Sequence, residues 1–256
     1  MKIAVALTMV PDLVEELEID PTGKALDTQW LRYVLSESDD HALEQALLLK
    51  DRHGAQVLAL ALDYGDAEQT LFTALAKGAD EAVKITPLPA GEPGRRDAAA
   101  IFAEVLRAHP VDLILTGVQA INDLDGHLAG LLGGLLNLPF VGVTRSVEVA
   151  AAGALVVQKE YPGGAAAEIR VSLPAVIGVI SAPQPPRYVP VARIREVMKT
   201  RSIGTEAAPG VGAQPVATIR RMYKPEAAGQ ATMISGAPEH VARELAAILE
   251  SRGVLR

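Results

Sequence analysis

The sequence of 256 residues contains no cysteine, and only 4% of its residues are aromatic. The lack of cysteine excludes disulfide bonds, thiolate metal sites, cysteine-ligated iron–sulfur clusters and a cysteine nucleophile. The scarcity of aromatic residues argues against the stacking platforms that bind single-stranded nucleic acid. A formal net charge of −7 argues the same way, because nucleic-acid binders normally present a basic stripe. We therefore expect no nucleic-acid partner.

Several other signals are also missing. The five histidines are scattered without metal-ligand spacing, so we expect no metal site. No apolar run reaches the length of a membrane span, and the opening run Ile3–Leu7 is too short for a signal peptide and has a strand-like pattern. We therefore expect a cytoplasmic protein without membrane insertion. The phosphate motifs GxGxxG and GxxxxGK[ST] and the catalytic motifs GxSxG and HExxH do not occur, so no catalytic residue is predicted.

The first half of the chain alternates short apolar runs with longer amphipathic ones. The apolar runs predict buried strands over residues 3–7, 57–62, 82–85 and 113–116. The amphipathic runs predict helices over residues 39–53, 66–77 and 96–108, and Gly54 and Gly78 lie where the first two should end. Strands and helices in strict alternation predict an α/β fold with a doubly wound, mostly parallel sheet.

The pattern changes after Pro139. Three short strands, over residues 146–150, 155–160 and 168–171, are separated by turn residues and predict a small antiparallel insert. A last buried strand follows at residues 174–180. Residues 200–237 are rich in Gly, Ala and Pro, and a final helix starts near Pro238 and ends before Gly253. We therefore predict an α/β nucleotide-binding domain over residues 1–199 and a C-terminal arm over residues 200–256, either flexible or docked elsewhere.

Two polar stretches invite a functional interpretation. The fourth strand runs into the polar loop Thr116–His127 and then a glycine-containing helix over 128–136, and the N-terminus of such a helix suits a phosphate. The alternative is a loop that only caps its helix, with Asp125 as the N-cap. The acidic run Ser36–Asp40 resembles a catalytic cluster but is typical of a helix start, with Ser38 or Asp39 as the cap.

An ordered set of short motifs resembles the electron-transfer flavoprotein β-subunit family along essentially the whole chain. The loop Gly117-x-Gln119-Ala120-Ile121-x-Asp123, followed by Leu138-Pro139, is similar to the family's adenine-nucleotide loop. No single motif is very specific, but their order is. The further matching stretches are Ala4–Leu7 with Val10-Pro11-Asp12, the helix start from Asp39 to Leu47, Leu71 to Asp80, Leu173-Pro174-Ala175-Val176 and Pro186-Arg187-Tyr188.

The resemblance implies a doubly wound domain like that of the adenine-nucleotide α-hydrolases and an arm that docks on an α subunit. It implies an electron carrier rather than an enzyme, taking electrons from acyl-CoA dehydrogenase-type flavoenzymes and passing them to a quinone reductase or a ferredoxin-linked acceptor. The redox FAD is held mainly by the α subunit, and its isoalloxazine does the redox chemistry. This chain would hold AMP or, in the electron-bifurcating branch, a second FAD.

The resemblance also implies site residues. The segment from Arg187 to Lys199 corresponds to a loop that recognises partner dehydrogenases, with Arg187, Val191, Ile194 and Lys199 as its candidates. The residues expected to contact the nucleotide come from four strand ends and the loop. They are Ala6, Ser36, Asp39, Leu62, Gly117, Gln119, Ala120, Asn122, Asp123, Gly126, His127, Leu128 and Ala129.

This chain departs from the family pattern near the expected phosphate. A carboxylate at Asp125, about 4 Å from a phosphate, would be repelled by roughly 4 kcal/mol at an effective dielectric near 20 unless it points away. The other departures are Thr8 and Val118 for basic residues, Asn122 and Leu124 for acidic ones, Leu128 for Thr or Val, and Leu13 for a Tyr near the flavin. Two alternatives stay open: a nucleotide-binding module, including the universal-stress type, and a hydrolase of the same superfamily.

Overall fold

The structure is a computed structural model that describes residues 1–88, 92–123, 125–151, 153–210, 219–225, 229 and 231–255. The parts described contain eleven strands and six α-helices. In chain order they are β1 (Lys2–Leu7), β2 (Met9–Pro11), β3 (Tyr33–Leu35), α1 (Glu37–His53), β4 (Gln56–Leu62), α2 (Ala67–Lys77), β5 (Glu81–Thr86), α3 (Arg95–Ala108), β6 (Leu113–Gly117), α4 (Leu128–Leu136), β7 (Phe140–Ala150), β8 (Ala154–Glu160), β9 (Ala166–Ser172), β10 (Ala175–Val179), α5 (Val191–Thr200), β11 (Gly204–Ala207) and α6 (Pro238–Ser251).

Nine strands form one sheet in the order β11-β5-β4-β1-β6-β10-β7-β8-β9. All neighbours from β11 to β7 run parallel, whereas β7, β8 and β9 pair antiparallel. The predicted doubly wound sheet with an antiparallel insert is therefore confirmed. From β1 the chain builds outward through β4 and β5 and then returns to place β6 on the other side of β1. The strand order thus reverses between β1 and β6, where ligands of such sheets bind.

Alternation along β1 distributes its side chains between two hydrophobic cores. Ile3, Val5 and Leu7 pack on one face with α1, α2 and α5. Ala4 and Ala6 pack on the other face with α3 and α4. Since both faces are covered by helices, the central strands are apolar at every position, which explains why they appear as unbroken hydrophobic runs.

α1 and α2 end at the predicted glycines, but α1 does not begin at the predicted cap. Gly54 and Gly78 end α1 and α2 with positive φ angles of 67° and 126°, as glycine permits. However, α1 begins at Glu37 with Ser36 at its N-cap, and no side chain caps it. The expectation that Ser38 or Asp39 caps this helix is wrong, because both side chains bond residues distant in the sequence.

Three local features were not expected from the sequence. β2 and β3 form a separate two-stranded antiparallel sheet that brings the two ends of the segment between them together. β11 pairs parallel with β5 at the sheet edge, although its sequence GTEA has little strand character. The stretch expected to be a recognition loop contains the helix α5, which packs on α2.

The chain divides into two compact units, Met1–Arg220 and Arg221–Arg256. The first holds the sheet, including β11, so residues 204–207 of the expected arm belong to the sheet. The second contains α6, whose predicted bounds are confirmed and which has no buried residue. Docking of the arm on another chain stays a prediction. No helix among the described residues is long and apolar enough to cross a membrane.

Candidate functional site

The carboxyl ends of β1 and β6 meet the start of α1 at one buried carboxylate, that of Asp39. Its Oδ2 accepts the backbone N–H of Thr8 at 3.0 Å, and its Oδ1 accepts the backbone N–H of Gly117 at 2.5 Å. Thr8 directly follows β1, and Gly117 ends β6. A single side chain therefore ties together the two strand ends on either side of the point where the strand order reverses.

Opposing effects act on the acidity of Asp39, which is only 3% exposed. Burial raises its pKa to about 6, and this is the largest contribution. The N–H groups of Gly117 and Thr8 and the positive charge of Arg95 oppose that rise, because they favour the ionised form. The carboxylate is thus charged at neutral pH and becomes protonated in mildly acidic solution.

Gly117 is required by the close approach of α1. A Cβ atom at this position would lie 2.2 Å from Oγ of Ser38 and 2.7 Å from the backbone nitrogen of Asp39. The helix start would have to move, and the Asp39 hydrogen bonds with it. The glycine is therefore explained by packing alone, whether or not a ligand approaches the backbone here.

We expect Gly117→Ala to lower the free energy of unfolding by about 1–3 kcal/mol, the usual cost of overpacking a tight site. Gly134→Ala is the matched control, because Gly134 is an exposed position of α4 and the added Cβ would have no neighbour within 4 Å outside the nearby backbone of its own helix. That control should be neutral or stabilising by up to about 1 kcal/mol. Urea denaturation measures both variants, and equal stability of the two would contradict the packing explanation.

The loop after β6 is held by its own hydrogen bonds and by α1. Ser38 Oγ donates to the carbonyl oxygen of Gln119 at 2.8 Å, and Gln119 Nε2 donates to the carbonyl oxygen of Asp123 at 2.7 Å. Asp123 Oδ1 accepts the backbone N–H groups of Asp125 and Gly126 at 3.1 and 3.2 Å. The buried Asp123 side chain therefore stabilises the turn that leads into α4.

Gly126 is held in the left-handed region with a φ of 62°, and a Cβ there would lie 2.8 Å from the carbonyl oxygen of Val118. Any larger residue would disturb the loop for reasons unrelated to a ligand. Leu124, a noted departure from the family pattern, lies outside the described residues.

His127 is the N-cap residue of α4, and within the described residues no side chain caps this helix. The expectation that Asp125 is the N-cap is wrong: its side chain is 68% exposed and lies 3.9 Å from Nδ1 of His127. In an α-helix the first four N–H groups lack intrahelical partners, so those of residues 127–130 have none within α4, and the helix dipole favours an anion beside them.

The structure brings most of the predicted nucleotide residues to this end of the sheet. Ala6 and Leu62 are buried near the carboxyl ends of β1 and β4, and Ser36 is buried at the N-cap of α1. Around the loop, some predicted residues are buried and others exposed. Ala120, Asp123, Leu128 and Ala129 are buried, whereas Gln119, Asn122 and His127 are exposed.

Two side chains that were not predicted from the sequence, those of Arg95 and Glu92, contact the same loop. Arg95, the first residue of α3, donates from Nη2 to Oδ1 of Asn122 at 2.7 Å, and its Nε lies 3.5 Å from Oδ2 of Asp123. Asn122 Nδ2 in turn donates to Oε1 of Glu92 at 2.6 Å. Burial raises the pKa of Glu92, while Arg95 and Asn122 oppose that rise.

A signal for Arg95 did exist in the sequence. Two arginines, Arg95 and Arg96, open α3, although the positive end of the helix dipole disfavours cations there. A basic residue in that position needs a compensating contact. Arg95 finds it in the loop after β6.

The four partner-recognition candidates differ in accessibility. Arg187 bonds the buried carboxylate of Glu44 through Nε and Nη2, and also Asp51 at 2.9 Å. Ile194 is 7% exposed and packs in the core under α5. Val191 and Lys199 are exposed. Within the folded unit, Val191 and Lys199 are thus open to a partner, while Arg187 and Ile194 hold the segment in place.

Two further observations concern ligands. A cavity of about 710 Å³ lies between the segment that joins β2 to β3 and the start of α2, where Trp30, Arg32, Asp66 and Gln69 are among its lining residues. It does not include the loop after β6. Among the described residues no group of three or more histidine or acidic side chains is arranged to hold a metal ion.

Comparison with known proteins gives consistent matches. Residues 24–209 match the family model described as the electron transfer flavoprotein domain. "Electron transfer flavoprotein subunit beta" of Methylophilus methylotrophus is 30% identical over 264 residues, which cover 99% of this chain and 100% of that protein. "Caffeyl-CoA reductase-Etf complex subunit CarD" of Acetobacterium woodii is 27% identical over 100% of both chains. The human "Electron transfer flavoprotein subunit beta" is 28% identical over 78% of this chain and 79% of its own.

Proposed function

This chain belongs to the electron-transfer flavoprotein β-subunit family, and we propose that it is the nucleotide-binding half of a heterodimeric electron carrier. The chain would itself catalyse no reaction. Its α partner would hold most of the redox FAD and would receive electrons from acyl-CoA dehydrogenase-type flavoenzymes. The acceptor would be a quinone reductase or a ferredoxin-linked protein.

One observation carries the nucleotide-binding part of the proposal. The loop after β6 lies where the strand order reverses, and it leads into the N-terminus of α4. Both features favour an anionic nucleotide, because successive N–H groups and the helix dipole face the same space. The phosphate of AMP or of a second FAD would lie against residues 127–130. The exposed Asp125 side chain need not face that phosphate.

The heterodimer is supported by the second compact unit. The apolar residues of α6 follow helical spacing, and Leu245, Ile248 and Leu249 are 48%, 42% and 38% exposed. An amphipathic helix without a packed face needs a partner surface, since helices of this length are marginal in water alone. We assign the α subunit as that partner.

Recognition of dehydrogenases is assigned to α5 and to Tyr188, three residues before it. Tyr188, Val191 and Met198 are 84%, 57% and 43% exposed, and Arg195 and Lys199 are also exposed. Apolar and basic side chains thus share this surface, which suits a partner surface that carries acidic residues around an apolar centre.

The proposal is tested on the complex of this chain with its α subunit. We expect a yellow complex that releases, on denaturation, one adenine nucleotide in addition to the redox FAD. Chromatography of the released material separates AMP from a second FAD. A colourless complex would favour the hydrolase or stress-protein alternative, and release of one FAD with no other nucleotide would contradict the proposed site.

His127 offers a charge-specific probe of that site. Its side chain is 66% exposed, so His127→Gln and His127→Glu should both fold. The helix dipole even favours a carboxylate at this position. The two variants differ in one negative charge beside the expected phosphate. We expect the Glu variant to bind the nucleotide at least about tenfold more weakly than the Gln variant does, which corresponds to about 1.4 kcal/mol of binding free energy. Equal nucleotide binding by both would place the phosphate elsewhere.

A further inference from the structure

Arg95 contacts a loop that follows a different strand from its own. It is the first residue of α3, which follows β5, yet its guanidinium contacts Asn122 and Asp123 in the loop that follows β6. In the sheet, β4 and β1 lie between β5 and β6, so the ends of β5 and β6 are separated by roughly 14 Å at about 4.8 Å per strand. Since α3 packs beside α4, the contact joins the start of α3 to the loop that leads into α4, at the edge of the crevice where the strand order reverses.

The side chains on both sides of the ion pair between Arg95 and Asp123 are largely buried. The Arg95 side chain is only 16% exposed, and that of Asp123 is 6% exposed. Asn122 accepts from Arg95 and donates to Glu92, whose carboxylate lies 4.0 Å from the guanidinium. An amide side chain is needed for this ring of contacts, because a carboxylate at position 122 could not donate to Glu92.

The charge balance around the loop gives this contact its consequence. Asp39, Glu92, Asp123 and Asp125 place four carboxylates around this end of the sheet. Arg95 pairs directly with Glu92 and Asp123 and also opposes the rise in the pKa of Asp39. Without the guanidinium, an incoming phosphate would meet unneutralised negative charge at short range, where the surrounding protein screens poorly.

We propose that Arg95 makes the crevice selective for an anionic adenine nucleotide over the uncharged nucleoside, by neutralising Glu92 and Asp123. The inference rests on the proposed nucleotide site, but it assigns the selectivity to a residue of α3 rather than to the loop or to α4. In this arrangement the N-terminus of α4 binds the phosphate, and Arg95 removes the repulsion that would otherwise oppose it.

The test compares AMP with adenosine on the full-length chain freed of bound nucleotide, by isothermal titration calorimetry. We expect Arg95→Gln to weaken AMP binding at least about tenfold and to change adenosine binding by less than about threefold. Arg96→Gln is the matched control, because it removes the same charge from the next, exposed position of the same helix turn. That control should leave both affinities unchanged.

A second variant is expected to change AMP affinity in the opposite direction. Glu92→Gln keeps an acceptor for Asn122 but removes a carboxylate that Arg95 neutralises, so it should strengthen AMP binding without changing adenosine binding. It also preserves the test if Arg95→Gln does not fold. Equal losses of AMP and adenosine with Arg95→Gln would show a purely structural role, and unchanged AMP binding in Arg95→Gln or in Glu92→Gln would likewise overturn the inference. A wild-type chain that binds neither ligand would instead contradict the proposed nucleotide site itself.

Discussion

A chain truncated after Arg220 is expected to fold and to lose its α subunit. Every buried hydrophobic residue of the described structure precedes that position, the last being Val197, and β11 remains paired with β5. The removed unit, Arg221–Arg256, instead carries exposed apolar side chains along α6 and beyond it. Burying about four such side chains on a partner contributes about 6 kcal/mol at roughly 1.5 kcal/mol each. The loss in affinity should therefore exceed a thousandfold.

Co-purification and analytical ultracentrifugation measure this loss, and thermal denaturation of the truncated chain checks its fold. A pair of point variants isolates the apolar face. Leu245→Asp places a charge on that face, and Ala247→Asp places the same charge on the opposite side of the helix, about 200° away. We expect the first to weaken the complex at least about tenfold and the second to have little effect. A truncated chain that still binds α in stoichiometric amount would contradict the arm assignment.

Replacement of Asp39 by alanine is expected to cause a large loss of stability for a single substitution. It removes the acceptor for two buried backbone N–H groups, those of Thr8 and Gly117. An unsatisfied buried donor costs about 1–3 kcal/mol, so the total for two at neutral pH should be about 2–6 kcal/mol. Glu37→Ala is the control, because Glu37 is an exposed acid in the same helix turn. Urea denaturation should show at most about 0.5 kcal/mol for that control.

The same pair of proteins tests the ionisation of Asp39. Its pKa is raised from 3.8 to about 6 in the folded state, so the native protein holds this proton more tightly than the unfolded chain does. The corresponding stability is complete below about pH 4 and is lost as the pH rises through about 6. The difference in unfolding free energy between wild type and Asp39→Ala should thus be larger at pH 5 than at pH 7.5, by about 1.4 kcal/mol. A difference that grows toward pH 7.5 would show that the two hydrogen bonds outweigh burial.

The repeating elements of this protein could be predicted because their signals are local. The apolar run at residues 3–7 and the helical spacing of residues 42–47 depend on neighbours in the chain, and Gly54 and Gly78 end their helices through their own backbone freedom. The α/β class, the antiparallel insert and α6 followed from such patterns. The family resemblance added the expectation that the loop after β6 binds an adenine nucleotide, since an ordered set of motifs carries information that single motifs lack.

The roles of Asp39 and Arg95 could not be predicted in this way. Asp39 lies in the first turn of a helix and is of a residue type that often caps helices, yet its hydrogen-bond partners are 31 and 78 residues away. The partners of Arg95 in the loop after β6 are 27 and 28 residues away, and the contact depends on α3 packing beside α4. Local spacing determines which elements form and which faces are apolar. The order of strands in the sheet determines which strand ends, and therefore which charges, meet at the site, because that order arises only when the elements pack.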